Sequence, residues 1–118
     1  MAVRDFKELL VWQKSMALVK QTYAVLESVP QMEEFGLKSQ IRRCSVSIPS
    51  NIAEGSRRAT TKDFVHFLRI ALGSLAELET QLLLLRDIYT ANIEEALDLV
   101  GEVGRMLNGL MASLGTDR

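Results

Sequence analysis

The sequence predicts an all-α fold, an antiparallel up-down-up-down four-helix bundle, and three observations lead to it. Apolar residues recur at steps of three and four through most of the chain, the period that places them on one stripe of a helix. Two prolines and seven glycines in 118 residues are too few for the tight turns of a β-sandwich. The stretches between the periodic segments are short, which lays consecutive helices side by side in opposite directions. A chain of this length buries about two-thirds of its unfolded surface and folds without disulfide or metal staples. It reads as one domain spanning residues 1–118.

The first helix is expected from about Asp5 to Ser28, with Leu9, Trp12, Met16, Val19, Tyr23 and Leu26 as its buried stripe. Pro30 stops it, because proline lacks an amide N–H and disfavours helix in its predecessor. The second helix lines up Leu37, Ile41, Cys44, Ile48 and Ile52 and is expected to end near Gly55 in a left-handed cap. Pro49 removes one of its hydrogen bonds, so a kink with the helix resuming through Glu54 is expected there. The third helix carries Phe64, Leu68, Ala71, Leu75, Leu78, Leu82 and Leu85 in heptad alternation, introduced by Thr60 as N-cap with Asp63 three residues on. The fourth starts around Asn92, with Glu95 in the same capping relation, and runs through Val100, Leu107 and Met111 to Gly115. Gly101, Gly104 and Gly109 weaken that helix, or else mark a face that another helix approaches closely.

Charge narrows the function classes. With 14 Lys+Arg against 15 Asp+Glu, the net −1 excludes a generally basic protein that coats nucleic acid. The positive charge is nevertheless concentrated: between residues 38 and 62 stand Lys38, Arg42, Arg43, Arg57, Arg58 and Lys62 against the single Glu54, a local +5. Of these, Lys38, Arg42, Arg57, Arg58 and Lys62 are the candidate contacts to the phosphates of RNA or single-stranded DNA. The competing reading uses the arginines within the bundle itself, at a helix C-terminus or in ion pairs.

No constellation for catalysis stands out. The one histidine, His66, has no second general acid or base of its type, and a single Asp63-x-x-His66 falls short of the paired motifs of a di-metal bundle. No catalytic residue, metal site or cofactor is expected. Ser39, Arg43, Ser50, Asn51, Glu54, Glu77 and Glu79 read instead as a structural polar network, with Arg43 paired to one of the glutamates. The run Leu82–Leu85 sweeps most of a helix circumference, more than one core can cover, so a subunit interface is expected at Phe67, Ile70, Leu83 and Leu84. That run is also the longest apolar stretch, far below the roughly 18–20 residues of a membrane span. One cysteine and an N-terminus that meets charge within five residues fit a cytoplasmic protein.

Three stretches carry a family resemblance: Phe6 to Lys14, Ser39 to Gly55 with its Ile48-Pro49-Ser50-Asn51-Ile52-Ala53-Glu54-Gly55 core, and Ala71 to Leu82. Over nearly the whole chain they resemble the bacterial four-helix-bundle family named for proteins encoded in 23S ribosomal RNA intervening sequences. The resemblance implies a homopentamer without enzymatic activity. It also implies a relation to the accessory proteins of diversity-generating retroelements, which bind nucleic acid and a reverse transcriptase. Those accessory proteins are strongly basic, whereas this chain is slightly acidic.

Overall fold

The computed structural model describes residues 5–115. A 3-10 turn at Phe6–Glu8 precedes four helices, α1 (Leu10–Leu26), α2 (Leu37–Ser56), α3 (Thr61–Tyr89) and α4 (Glu94–Ser113), and no strand occurs among the described residues. Each helix packs on its neighbours in the chain and α1 closes the ring against α4, leaving no diagonal contact. The bundle measures 44 × 22 × 21 Å. Its long dimension is that of α3, whose 29 residues span about 44 Å at roughly 1.5 Å each.

The apolar period of α3 is the core of the molecule: Phe64, Leu68, Ala71, Leu75, Leu78, Leu82 and Leu85 are all buried. Thr60 caps this helix as expected, its hydroxyl accepting from the Asp63 amide at 3.1 Å. Thr90 ends it in the left-handed region at φ 54°. On α2, Ile41, Cys44, Ile48 and Ile52 face inward as expected, joined by Ser45 and Pro49. Pro49 does not split α2, which stays one helix. Hydroxyls and an amide around it turn back onto the helix: Ser45 donates to the Arg42 carbonyl, Ser47 to that of Cys44 and Asn51 to that of Ser47, at 2.8–3.0 Å. The carbonyl that Pro49 leaves without a backbone donor is that of Ser45, four residues back, and these side-chain bonds fall on its neighbours.

Three local expectations are corrected. The buried face of α1 is Val11, Ser15, Leu18, Thr22 and Val25, one position away from the predicted stripe; of that stripe only Leu26 is buried, while Tyr23 is exposed. The structure tolerates two hydroxyls in the core because each satisfies itself locally, Ser15 on the Trp12 carbonyl at 2.8 Å and Thr22 on that of Leu18 at 2.7 Å. Gly55 is not a left-handed cap but a helical residue, the last but one of α2. Its lack of a side chain lets α3 approach, since a Cβ there would lie 2.7 Å from the Phe67 Cβ and 3.0 Å from the Phe64 ring. At the start of α4, Asn92 makes an Asx-type bond to the Glu94 amide at 3.3 Å, and the N-cap is Ile93, without a side-chain cap. Of the α4 glycines, Gly109 has open space around it and Gly101 and Gly104 have only ordinary contacts at 3.4 Å, so no helix crosses them closely.

The α1–α2 connection is pinned by two carboxylates. Glu33 accepts from the Tyr89 hydroxyl and, at 3.2 Å, from the Leu37 amide at the start of α2, and these bonds hold it below the usual carboxylate range. Glu34 is held low by Arg42, which donates two bonds to it at 2.7 and 3.3 Å. A carboxylate whose folded-state pKa is depressed adds stability that is complete above its ordinary range and is lost as pH falls through and below it. Thermal melts between pH 7 and pH 3 should therefore show an acid-side loss that is smaller in Glu33→Gln, which no longer titrates.

Candidate binding surfaces

Two kinds of surface remain once the core is filled, a basic end and apolar strips, and the sequence-predicted residues divide between them. The basic end is built where α2 turns into α3. Arg57, Arg58 and Lys62 are all exposed there, in a turn so short that the cations crowd together. Arg57 lies over the Phe6 ring at 5.4 Å and Arg58 over the Phe67 ring at 4.6 Å, cation–π contacts that orient each guanidinium. Arg58 is also ion-paired with Glu54 one turn back. His66 and Arg69 follow on the exposed face of α3, one and two turns after Lys62, and extend the basic surface beyond the five predicted residues. Their spacing of four and three was the signal available in the sequence.

Lys38 and Arg42 do not belong to this end. Lys38 is 6% exposed and pairs with Glu34 at 3.9 Å, and Arg42 is taken by the same carboxylate. That pairing holds the guanidinium in its charged form and fixes it to the α1–α2 connection, some ten or more residues along α2 from Arg57. Local charge density in the sequence overstated the patch because it counts cations without their partners.

The polar network also differs from the expected one. Arg43 is exposed and donates to Ser39 at 3.1 Å, not to a glutamate. Glu54 serves Arg58, Glu77 accepts from Gln81 at 3.4 Å, and Glu79 sits on the rim of a groove between α3 and α4. The polar bridge between α2 and α3 is made by smaller groups: the Ser47 hydroxyl, whose proton is on the Cys44 carbonyl, accepts from the Ser74 hydroxyl at 2.6 Å, and the Cys44 thiol donates to the Ser74 carbonyl at 3.0 Å. Burial, reinforced by the negative charge of Glu77, pushes the thiol up to about 12, so Cys44 is an inert packing group at neutral pH. Asn51 bonds only within α2, and Ser50 is exposed beside an apolar slot.

The apolar strips are on the outside of α3 and between α1 and α2. Ile70 and Leu84 are exposed, Phe67 and Leu83 half-buried, and Ile88 continues the line of Leu84. Between α1 and α2 the stripe wrongly expected in the core lines a slot of about 310 Å³, formed by Trp12, Met16 and Val19 against Val46, Pro49 and Ala53. A third groove, of about 390 Å³, opens along Gly101 and Gly104 between α3 and α4. Among the described residues no three His, Cys, Asp or Glu side chains converge to hold a metal, and no helix is long and apolar enough to cross a membrane.

The family model for 23S rRNA-intervening sequence proteins matches residues 7–109. A crystal structure of a protein of unknown function from the S23 ribosomal protein family, from Bacteroides thetaiotaomicron VPI-5482, superposes with a TM-score of 0.74 at 27% identity, covering 86% of this chain and 98% of that one. No curated protein matches.

Proposed function

This chain belongs to the family of 23S rRNA-intervening sequence proteins, and from that premise we propose that it acts in the cytoplasm as a non-enzymatic homo-oligomer, most simply a pentamer, that contacts RNA or single-stranded DNA. The observation that carries the reading is the basic end, where Arg57, Arg58 and Lys62 stand exposed within six residues and His66 and Arg69 prolong them. Exposed cations held in place by aromatic rings suit a nucleic-acid backbone, because oriented guanidinium groups meet the phosphates. Apolar strips on α3 and between α1 and α2 supply the means of assembly, and a ring repeats the basic end once per subunit, so weak contacts add through avidity. Family resemblance points the same way for the pentamer.

Fluorescence anisotropy with a labelled single-stranded oligonucleotide tests this. Affinity should fall steeply between low and moderate salt, with a log–log slope of about 0.7 per phosphate neutralised on a single strand, and depend little on sequence. The double variant Arg57→Glu, Arg58→Glu should lose at least tenfold in affinity while keeping its oligomeric mass, whereas Lys38→Gln should change little, since Lys38 is buried on Glu34. Equal binding by the charge-reversed variant, or none by the wild type at tens of micromolar, favours the second reading, a protein-binding adapter such as one that holds a reverse transcriptase. One observation supports that alternative: Lys38, Arg42 and Arg58 all spend their charge on glutamates of the same chain.

A further inference from the structure

We infer that a single strand of nucleic acid leaves the basic end along the outer face of α3, on a line that runs from Lys62 through His66 and Arg69 to Gly73. The inference rests on the nucleic-acid reading above and adds to it the path and the footprint of the strand. Lys62, His66, Arg69, Gly73, Ala76 and Thr80 follow one another at steps of four and three, which keeps them on one line of a helix, and all six are exposed. The first three are basic, the next three small or neutral, and no acidic residue stands on the line.

The charge at the start of the line is unspent. Neither Lys62 nor His66 is ion-paired among the described residues. Arg57 joins them from the turn, held over the Phe6 ring and likewise without a carboxylate, whereas Arg58 gives its charge to Glu54. Asp63 is the one acid beside the start, and it sits in the first turn of α3, where the positive end of the helix dipole offsets it. From Lys62 to Arg69 the line covers seven residues, about 10.5 Å at roughly 1.5 Å each. That is the length of about three phosphates at roughly 3.4 Å of axis per phosphate of one strand.

The surroundings set the width and the end of the path. Exposed Ile70 and half-buried Leu72 lie about 80° to either side of the line at roughly 100° per residue. A single row of cations between apolar flanks meets the phosphates of one strand and offers nothing to a second. Gly73 leaves the helix surface bare, since nothing lies within 4 Å of an added Cβ. Beyond it the exposed carboxylates of Glu77 and Glu79 stand beside Ala76 and Thr80 and repel a phosphate.

A charge added on the path and the same charge added past its end test this. Gly73→Lys fits without displacing a neighbour and extends the row by one cation. In anisotropy titrations of the full chain with a labelled oligothymidylate, it should tighten binding several-fold at low salt and steepen the log–log salt slope by about 0.7. Lys62→Gln should lower the slope by about the same amount. Thr80→Lys lies about 10.5 Å past Gly73 at roughly 1.5 Å per residue, beside Glu77 and Glu79, and should leave the slope unchanged. Light scattering checks that each variant keeps the wild-type mass. Equal effects of Gly73→Lys and Thr80→Lys, with binding still lost in the Arg57→Glu, Arg58→Glu variant, overturn the path and leave the nucleic-acid reading standing. A duplex bound as tightly as the single strand overturns the one-strand footprint, and a lower mass for Gly73→Lys shows that the line is covered between copies and overturns it as well. No binding by the wild type at tens of micromolar overturns the path and the nucleic-acid reading together.

Discussion

Replacing Gly55 by alanine lowers the melting temperature, whereas the same replacement at Gly109 raises it. Both glycines are inside helices, where alanine gains up to about 1 kcal/mol over glycine by intrinsic propensity. At Gly109 nothing lies within 4 Å of the added methyl, so the gain is realised. At Gly55 the methyl meets the Phe67 Cβ at 2.7 Å and the Phe64 carbonyl at 3.2 Å, atoms that cannot retreat unless α3 itself shifts. Overpacking of this kind costs about 1–3 kcal/mol, and a contact with main-chain and Cβ atoms belongs at the upper end. The expected balance is a net loss of about 2 kcal/mol for Gly55→Ala against a gain of up to about 1 kcal/mol for Gly109→Ala. Paired thermal or urea melts give the answer. Equal and positive shifts at both sites would show that α3 does not press on the end of α2.

The second large effect separates two leucines of the same run. Leu82 is fully buried in the core, and Leu82→Ala removes its contacts and leaves a cavity, a loss of about 2–5 kcal/mol. Leu84→Ala, two residues on, exposes nothing new in a single chain and changes its stability by about 0.5 kcal/mol or less. Its effect should appear in assembly instead, as a lower oligomeric mass at a given concentration, since Leu84 is on the exposed edge. Urea melts of each variant together with light scattering distinguish the two. A Leu84→Ala chain as destabilised as Leu82→Ala would place the exposed edge in the core.

The contrast between α3 and α1 shows how far the sequence could be read. On α3 every heptad position is apolar, and period and burial coincide at all seven predicted residues. On α1 the period pointed to the wrong face, because two of the core positions are Ser15 and Thr22 and the more continuous apolar line, Trp12 to Tyr23, lies beside them on a half-covered surface. Hydrophobic periodicity reports every apolar strip, whether it covers a core or awaits a partner, and it cannot credit a hydroxyl that bonds its own helix. The charged site had the same weakness. Lys38 and Arg42 entered the predicted patch through their proximity in sequence to Arg57 and Arg58, and Glu34, which takes them both, stood just outside the window. Gly55 was recognised as special from its place near the end of α2, but whether glycine serves a left-handed cap or a close crossing depends on α3, which local sequence does not reveal.

The close crossing at Gly55 also bears on how the chain finds its fold. The helices it joins are linked by the short turn at residues 57–60 and meet along much of their length through Ser47 with Ser74, Cys44 with Ser74, and Arg58 with Phe67. A hairpin with so small a loop to close loses little chain entropy in forming, whereas docking α1 on α4 must close a loop of nearly the whole sequence. The α2–α3 pair is then expected to form first and α4 to dock on it later. In kinetic terms, substitutions at Ser47, Gly55 and Phe67 should slow refolding, and those at Val100, Val103 and Leu107 should chiefly speed unfolding.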